Sequence, residues 1–252
     1  MTNDLGAIQE IAEGWRPEQV LRWSFENFGA GVQMASGFGA EGMALIDMAS
    51  RLTNDLRVFT IDTGFLFPET YELIETVERR YGISVERVHS RLNPEEQSDV
   101  YGPELWTVDP DQCCAIRKVE PLKKKLSTLN AWITAIRRDQ TAVRASARKV
   151  EWDRKFQLAK INPIADWSNK DVWNYLFANN VPYNRLHDRN YTSIGCTHCT
   201  RAIRAGEDPR AGRWSGFQKT ECGLHVADQP AATTPAALIQ IGLATDPEPN
   251  CC

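Results

Sequence analysis

From Gly31 to Ile161, short apolar runs alternate with longer runs of helical periodicity, and this alternation constrains the fold more than any other feature of the chain. Residues 31–37, GVQMASG, read as a strand entering a glycine turn, and residues 40–52 as an apolar helix. A second strand is expected over 56–61. Pro68 then opens a helix whose Leu73, Ile74, Val77 and Tyr81 recur at helical spacing, and Gly82 closes it. Further strands are expected over 83–88, 131–136 and 156–161. A helix from about Ser168 carries Val172, Trp173, Leu176 and Phe177 on one side. Strand and helix in turn predict an α/β fold, a doubly wound and mostly parallel sheet with helices on both faces. Its ligand site then lies at the carboxyl ends of the strands. Three loops fall there, residues 36–41, 62–67 and 137–148. No internal repeat is present.

Composition narrows the class of partner. A chain of 252 residues with 42% apolar content buries a substantial core, so residues 1–225 are expected to form one domain. From Val226 onward there is no basic residue and much Ala, Thr and Pro, which predicts a poorly ordered tail over 226–252. A net charge of only -4 argues against a general nucleic-acid or membrane-binding surface. The apolar stretches are too short to cross a bilayer. The acidic opening MTNDLGAIQEIAEGW lacks a basic region followed by an apolar one, so a cytoplasmic location is expected. Seven cysteines, an odd number in such a setting, point to metal binding or thiol chemistry rather than a disulfide framework.

The first loop, Gly37-Phe38-Gly39-Ala40-Glu41-Gly42, matches G-x-G-x-x-G, and Asp62 follows Gly42 by about 20 residues at the end of the second strand. A dinucleotide fold uses such glycines to approach a pyrophosphate and the acid to hold a ribose hydroxyl. The same strand, turn and helix start can cradle any phosphate, because free backbone N–H groups and the helix dipole favour an anion. Glycines so placed also make simple tight turns.

The cysteines discriminate better. Cys113-Cys114 and Cys196-Thr197-His198-Cys199 supply four thiols in two close pairs, a soft donor set suited to zinc or an iron-sulfur cluster. A tetrahedral zinc is usually gripped by C-x-x-C knuckles, whereas adjacent cysteines diverge onto separate metal corners. That favours a [4Fe-4S] cluster over zinc, with unrelated buried or redox thiols as the alternative. His198 reads as a neighbour of the donors. Cys222 stands apart in KTECGLH, flanked by Lys219 and His225, a setting for a nucleophile. A free thiol of ordinary pKa is only about 3% thiolate at neutral pH, and a nearby cation raises that fraction. Glu221 is expected to oppose this. The competing reading of Cys222 is an inert surface thiol.

Basic residues gather where an anion can be held. Arg137, Arg138, Arg144 and Arg148 share one loop, and Arg210 and Arg213 lie between the second cysteine pair and Cys222. Guanidinium forks suit phosphate and sulfate oxygens. Lys118 follows Cys114 by one helical turn and is placed to reach both the thiols and a bound anion. Lys123, Lys124 and Lys125 read as a solvated helix face.

Together these residues resemble the assimilatory adenylyl-sulfate and 3′-phosphoadenylyl-sulfate reductase family over about residues 25–226. The matching segments include SGFGAEGMAL, IDTGFLFPETYELI, DPDQCCAIRKVEPL, WITAIRRDQ, NPIADWSNKDVWNYL, YTSIGCTHCTR, GRW and KTECGLH, in that order. The resemblance implies an adenine-nucleotide α-hydrolase-like (Rossmann-like) fold related to the ATP pyrophosphatases. It implies that Cys113, Cys114, Cys196 and Cys199 hold a [4Fe-4S] cluster and that Cys222 attacks the sulfur of the phosphosulfate, releasing AMP and leaving an S-sulfocysteine. Thioredoxin or glutaredoxin then frees sulfite, in sulfate assimilation and cysteine biosynthesis. Lys118, Arg210, Arg213 and His225 fall where the family places groups on sulfate and phosphate. The nucleotide positions are Ser36, Gly37, Phe38, Gly39, Glu41, Asp62 and the loop with Arg137, Arg138 and Arg144. Members with both cysteine pairs generally use adenosine 5′-phosphosulfate rather than its 3′-phosphorylated form, and the family forms homo-oligomers.

Two features depart from the family. Gly42 stands where members usually carry Asp, and Cys251-Cys252 has no counterpart. Rival readings are an ATP-dependent adenylating enzyme, whose S-G-G-x-D-S loop is not matched by residues 36–41, a cluster-based redox sensor, and a dinucleotide oxidoreductase.

Overall fold

A computed structural model describes residues 2–225. The expected tail and the Cys251-Cys252 pair lie outside the described residues. The chain opens with two helices, α1 (Thr2–Ala12) and α2 (Pro17–Phe28), for which the sequence reading held no expectation. There follow β1 (Val32–Ala35), α3 (Ala40–Ser50), β2 (Val58–Asp62), α4 (Pro68–Tyr81) and β3 (Val85–His89). Short helices α5 (Pro94–Tyr101), α6 (Leu105–Val108) and α7 (Pro110–Cys114) lead through a π-helical turn, Ala115–Val119, into α8 (Glu120–Leu126). β4 (Ala131–Ile133), β5 (Val150–Asp153), β6 (Leu158–Ile161) and α9 (Asn169–Ala178) complete the regular elements.

Local chemistry sets the helix ends. Pro68 occupies the first turn of α4, where its missing N–H costs nothing. Gly82 closes that helix in the left-handed region, at φ 65°, and donates its N–H to Glu78 O. Ser168 and Asp171 cap α9 reciprocally.

The six strands lie in the order β3-β2-β1-β4-β6-β5, parallel except for β5, which runs antiparallel to β6 at the edge. Alternate strand residues feed two cores. Val32, Met34, Val58 and Ile133 pack with α2, α3, α4 and α9 on one face. On the other, Phe59, Trp132 and Leu158 pack with Leu122 and Leu126 of α8. The helices thus cover both faces, which is why β1, β2 and β4 read as apolar runs rather than as alternating stripes.

The paired strands are shorter than the expected ones. Residues 36–37 and 134–136 leave the ladder to form loops, and Phe156 lies in the turn between β5 and β6. Progress outward from β1 through β2 to β3 reverses when the chain returns to place β4 on the other side of β1. This reversal opens a crevice at the carboxyl ends of β1 and β4, the place where open α/β sheets receive ligands.

Candidate active site

A cavity of about 710 Å³ occupies that crevice. Its floor includes the loop from Ser36 to Gly42, and one wall is the arginine loop that follows β4. Ser36 Oγ accepts the Phe38 N–H at 3.1 Å, and α3 begins at Ala40, so its free N-terminal N–H groups open toward the cavity. A Cβ at position 42 would meet Ser36 Oγ at 2.6 Å, so glycine there lets the serine keep this rotamer beneath the loop. Phe38 takes φ 56° and is fully buried. It anchors the bend from below and does not line the cavity, contrary to expectation.

Two other expected nucleotide contacts are turned away. Asp62 spends its carboxylate on Gly64 N–H at 2.9 Å and Tyr71 O–H at 2.8 Å, closing the turn after β2. Arg138 points outward, donating to Ala147 O at 2.7 Å and to Glu13. Glu13 Oε1 also accepts the Lys149 N–H at 3.0 Å, so one carboxylate of the α1–α2 connection grips both ends of the arginine loop. Arg148 is likewise outside the cavity, paired with Glu10. The other expected positions, Ser36, Gly37, Gly39, Glu41, Arg137, Arg144, Arg210 and Arg213, all line it, with Lys118, Cys222 and His225.

The segment carrying Cys222 lies as a strap across one end of the cavity. Glu221 is bound by the fork of Arg144, Nε and Nη2 each at 2.8 Å, and by Thr141 Oγ1 at 2.9 Å. Both partners of this pair are nearly buried. Such a pair is stable only because its geometry offsets desolvation. Burial disfavours the Glu221 charge, but Arg144 and Arg210 outweigh it and hold the carboxyl below its usual range. Arg210 donates to Thr220 O and Lys155 to Gly223 O, each at 2.8 Å, while His225 stacks on Trp132 at 5.6 Å.

These contacts revise the charges expected around Cys222. Glu221 does not oppose a thiolate, because its charge is spent on arginines. Lys219 turns to Asp111, and His225 is buried, which with Arg144 and Lys160 nearby drives its pKa well down and leaves it neutral. The cations within electrostatic reach of Cys222 are instead Lys118 and Arg210. Lys125 also departs from expectation, since it is mostly buried and paired with Glu86 at 2.5 Å.

Behind the cavity the two cysteine pairs meet. Cys113, Cys114, Cys196 and Cys199 line one small void, walled by Phe65 and by Trp106, which stacks on His198 at 4.0 Å. His198 is thus a neighbour of the thiols, as expected. The π-helical turn after Cys114 widens the helix and turns Arg117 and Lys118 onto the thiols. Burial pushes the Cys113 thiol up to about 11, with Cys114 and Cys196 adding to the rise. Cys196 is also penalised by burial, yet Lys118 and its contact with Thr63 Oγ1 at 3.3 Å bring its pKa below the ordinary value. Burial likewise opposes the Lys118 ammonium, and Cys196, Cys114 and Cys222 overcome it, so the lysine stays protonated.

This donor set fits a [4Fe-4S] cluster. Four soft thiol donors line one void, with Arg117 and Lys118 beside them. Arg117, only 2% exposed, donates Nη1 to Thr63 O at 2.8 Å but leaves Nε and Nη2 without a protein partner beside the thiols. Cluster sulfur is an acceptor of the kind these donors lack. Arg117 and Thr63 escaped the sequence reading, although each adjoins a residue it singled out.

A parallel sheet with its phosphate-type cradle at the switch point is the fold of adenine-nucleotide α-hydrolase-like proteins. Within that class, the chain belongs to the family described as phosphoadenosine phosphosulfate reductase domain, whose profile matches residues 31–202. It is 48% identical to adenosine 5′-phosphosulfate reductase 2 of Bacillus subtilis over 207 residues, 82% of this chain and 88% of the relative. Identity to adenosine 5′-phosphosulfate reductase of Halalkalibacterium halodurans is 46% over 223 residues, 88% of this chain and 96% of the relative. Among solved structures, phosphoadenylyl-sulfate reductase of Candida auris, a phosphate complex, superposes with a TM-score of 0.71 at 29% identity, covering 80% of this chain and 98% of its own. Candida glabrata FMN adenylyltransferase, at 15% identity and a TM-score of 0.54, covers 86% of this chain and 76% of its own and shares the fold alone. Among the described residues no helix is long and apolar enough to cross a membrane.

Proposed function

We propose that this protein reduces adenosine 5′-phosphosulfate to sulfite and AMP with electrons from thioredoxin or glutaredoxin. The observation that carries the reading is the position of Cys222 in the lining of a nucleotide-sized cavity that Lys118, Arg210 and Arg213 also line. Curated relatives named adenosine 5′-phosphosulfate reductase support the substrate.

The chain's residues divide the work by charge. A thiolate approaching a sulfate meets negative oxygens, so Lys118, Arg210 and Arg213 neutralise the phosphosulfate and orient it in line with the leaving phosphate. Cys222 Sγ bonds to the substrate sulfur, the S–O bond to the phosphate breaks with its electron pair on oxygen, and AMP leaves. A thiolate of the reductant then attacks Cys222 Sγ, not the outer sulfur. The Cys222 sulfur becomes one half of a mixed disulfide and sulfite departs with the electron pair. The reductant's second thiol completes its own disulfide and returns Cys222 to the thiol form. Both electrons come from thiols. Cys113, Cys114, Cys196 and Cys199 would hold a [4Fe-4S] cluster, which would supply fixed charge and a rigid frame behind Lys118. The working form is a cytoplasmic homo-oligomer without nucleic-acid or membrane partners.

Sulfite release from adenosine 5′-phosphosulfate and from its 3′-phosphorylated form, with reduced thioredoxin, tests the assignment. A higher kcat/KM for the unphosphorylated substrate is expected, and preference for the other reverses the substrate choice. A second expectation concerns Gly195, where a Cβ would lie 2.4 Å from Arg213 Nη2. Gly195→Ala displaces that guanidinium from the cavity and lowers kcat/KM about 10- to 100-fold, the value of one charged hydrogen-bond partner. Its melting temperature and iron content stay close to wild type. Unchanged turnover places Arg213 outside the reaction.

A further inference from the structure

Most polar groups around the cavity are consumed by the protein itself. Among the described residues, five buried side-chain nitrogens of its lining have no partner: Arg210 Nε, Arg213 Nε, His225 Nδ1, Trp132 Nε1 and His187 Nε2. Leaving such an atom unpaired is costly, and a ligand recovers that cost if it supplies the missing partner.

Four of these belong to the Cys222 end, two on arginines and the others on the stacked Trp132 and His225. His187 stands apart from these four, on the side of the cavity lined by Glu41 and Trp173. It lies on the turn Arg185–Arg189, set edge-on to Trp173 with ring centroids 5.2 Å apart, and the nearest charges acting on it are those of Glu41 and Asp188.

Among the described residues, no positive charge is left over around Glu41. Arg137 is held by Glu41 at 3.1 Å and Asp139 at 2.7 Å, so it offers no free cation to a second anion. Burial lowers the His187 pKa and favours the neutral ring, with Glu41 and the Tyr191 backbone opposing it. In the tautomer protonated on Nδ1, Nε2 carries a lone pair and accepts a hydrogen bond.

We propose that His187 Nε2 is a binding residue that accepts a hydrogen bond from the uncharged nucleoside part of the substrate, a ribose hydroxyl or the adenine amino group. This rests on the nucleotide reading above and deepens it. The anionic head is held at the Cys222 end, and the His187 side reads neutral donors. A hydroxyl replaced by phosphate loses the proton that His187 accepts, so the same contact also disfavours a phosphorylated ribose if the ribose is its partner.

Titration calorimetry of the full-length protein tests this with AMP and its 2′-deoxy, 3′-deoxy and 6-deamino analogues, for wild type, His187→Leu and His187→Gln. Wild type is expected to bind one of the three analogues about tenfold more weakly than AMP, the value of one hydrogen bond in a buried site. The identity of that analogue names the donor. His187→Leu binds AMP at the weakened level and no longer distinguishes that analogue, whereas His187→Gln, which keeps an acceptor, recovers part of the difference. The proposal is overturned if His187→Leu binds AMP like wild type. It is equally overturned if AMP affinity falls but the discrimination among analogues persists, because packing against Trp173 then explains the loss. Binding of AMP without sulfite formation from adenosine 5′-phosphosulfate removes the reductase reading and leaves the His187 assignment standing, while absence of AMP binding removes both.

Discussion

Cys222→Ser will retain its fold, its iron and its affinity for AMP while losing sulfite release by roughly ten-thousand-fold or more, the scale on which removal of a covalent nucleophile acts. The substitution is nearly isosteric, and the strap that carries residue 222 is held by its neighbours. Glu221 is bound to Arg144, Gly223 O to Lys155, and His225 to the face of Trp132. The binding cavity therefore survives the loss of the thiol, and binding and chemistry separate in the measurement. Mass spectrometry of wild type mixed with substrate and no reductant should find a sulfonate adduct on Cys222. Turnover by the serine protein, or an adduct on another cysteine, would remove the nucleophile from this account.

Cys196→Ser is expected to lose its iron and inorganic sulfide on anaerobic purification, with activity falling more than the roughly 10- to 100-fold that loss of an outer-shell partner costs. Lys118 and Arg213 act on the Cys196 thiol, and Thr63 Oγ1 lies 3.3 Å from it. Loss of a bound cluster would leave two buried cations, Arg117 and Lys118, facing a wall stripped of negative charge. Buried charges left unpaired are strongly destabilising, so the melting temperature falls as well. Full iron content in this protein would show that the four cysteines do not act as one donor set.

The sheet was legible because the buried strands are apolar on both faces and the helices between them carry explicit stops. Pro68, Gly82 and Ser168 mark ends that the structure reproduces within a residue. β5 was not legible. A four-residue edge strand with a charged residue at alternate positions, Val-Glu-Trp-Asp, carries too little pattern to separate it from a loop, and it is defined only by its pairing with β6. The candidate site was legible as a list of chemically able residues, less so as a geometry. Asp62, Arg138 and Lys219 have suitable charge in suitable segments, yet Asp62 turns to the nearby Gly64 and Tyr71 while Arg138 and Lys219 turn to the distant Glu13 and Asp111, and no spacing rule reveals which way a loop side chain turns. The charge state of His225 was hidden for the same reason, since Trp132 and Lys160, which enclose it, come from distant strands. Arg117 is the converse case. Its significance depends on a π-helical turn that a one-residue change in helical register creates, and no composition signals it.

Glu13 holds the outside of the loop running from Arg138 to Lys149, and Glu221 holds its inside through Arg144. One short stretch in the middle of the polypeptide is therefore a shared wall between the first helices and the nucleophile's strap. Disturbance at the first helices can reach position 222 through this wall. Whatever is appended or trimmed near residue 13 is, in mechanical terms, applied to the wall of the cavity.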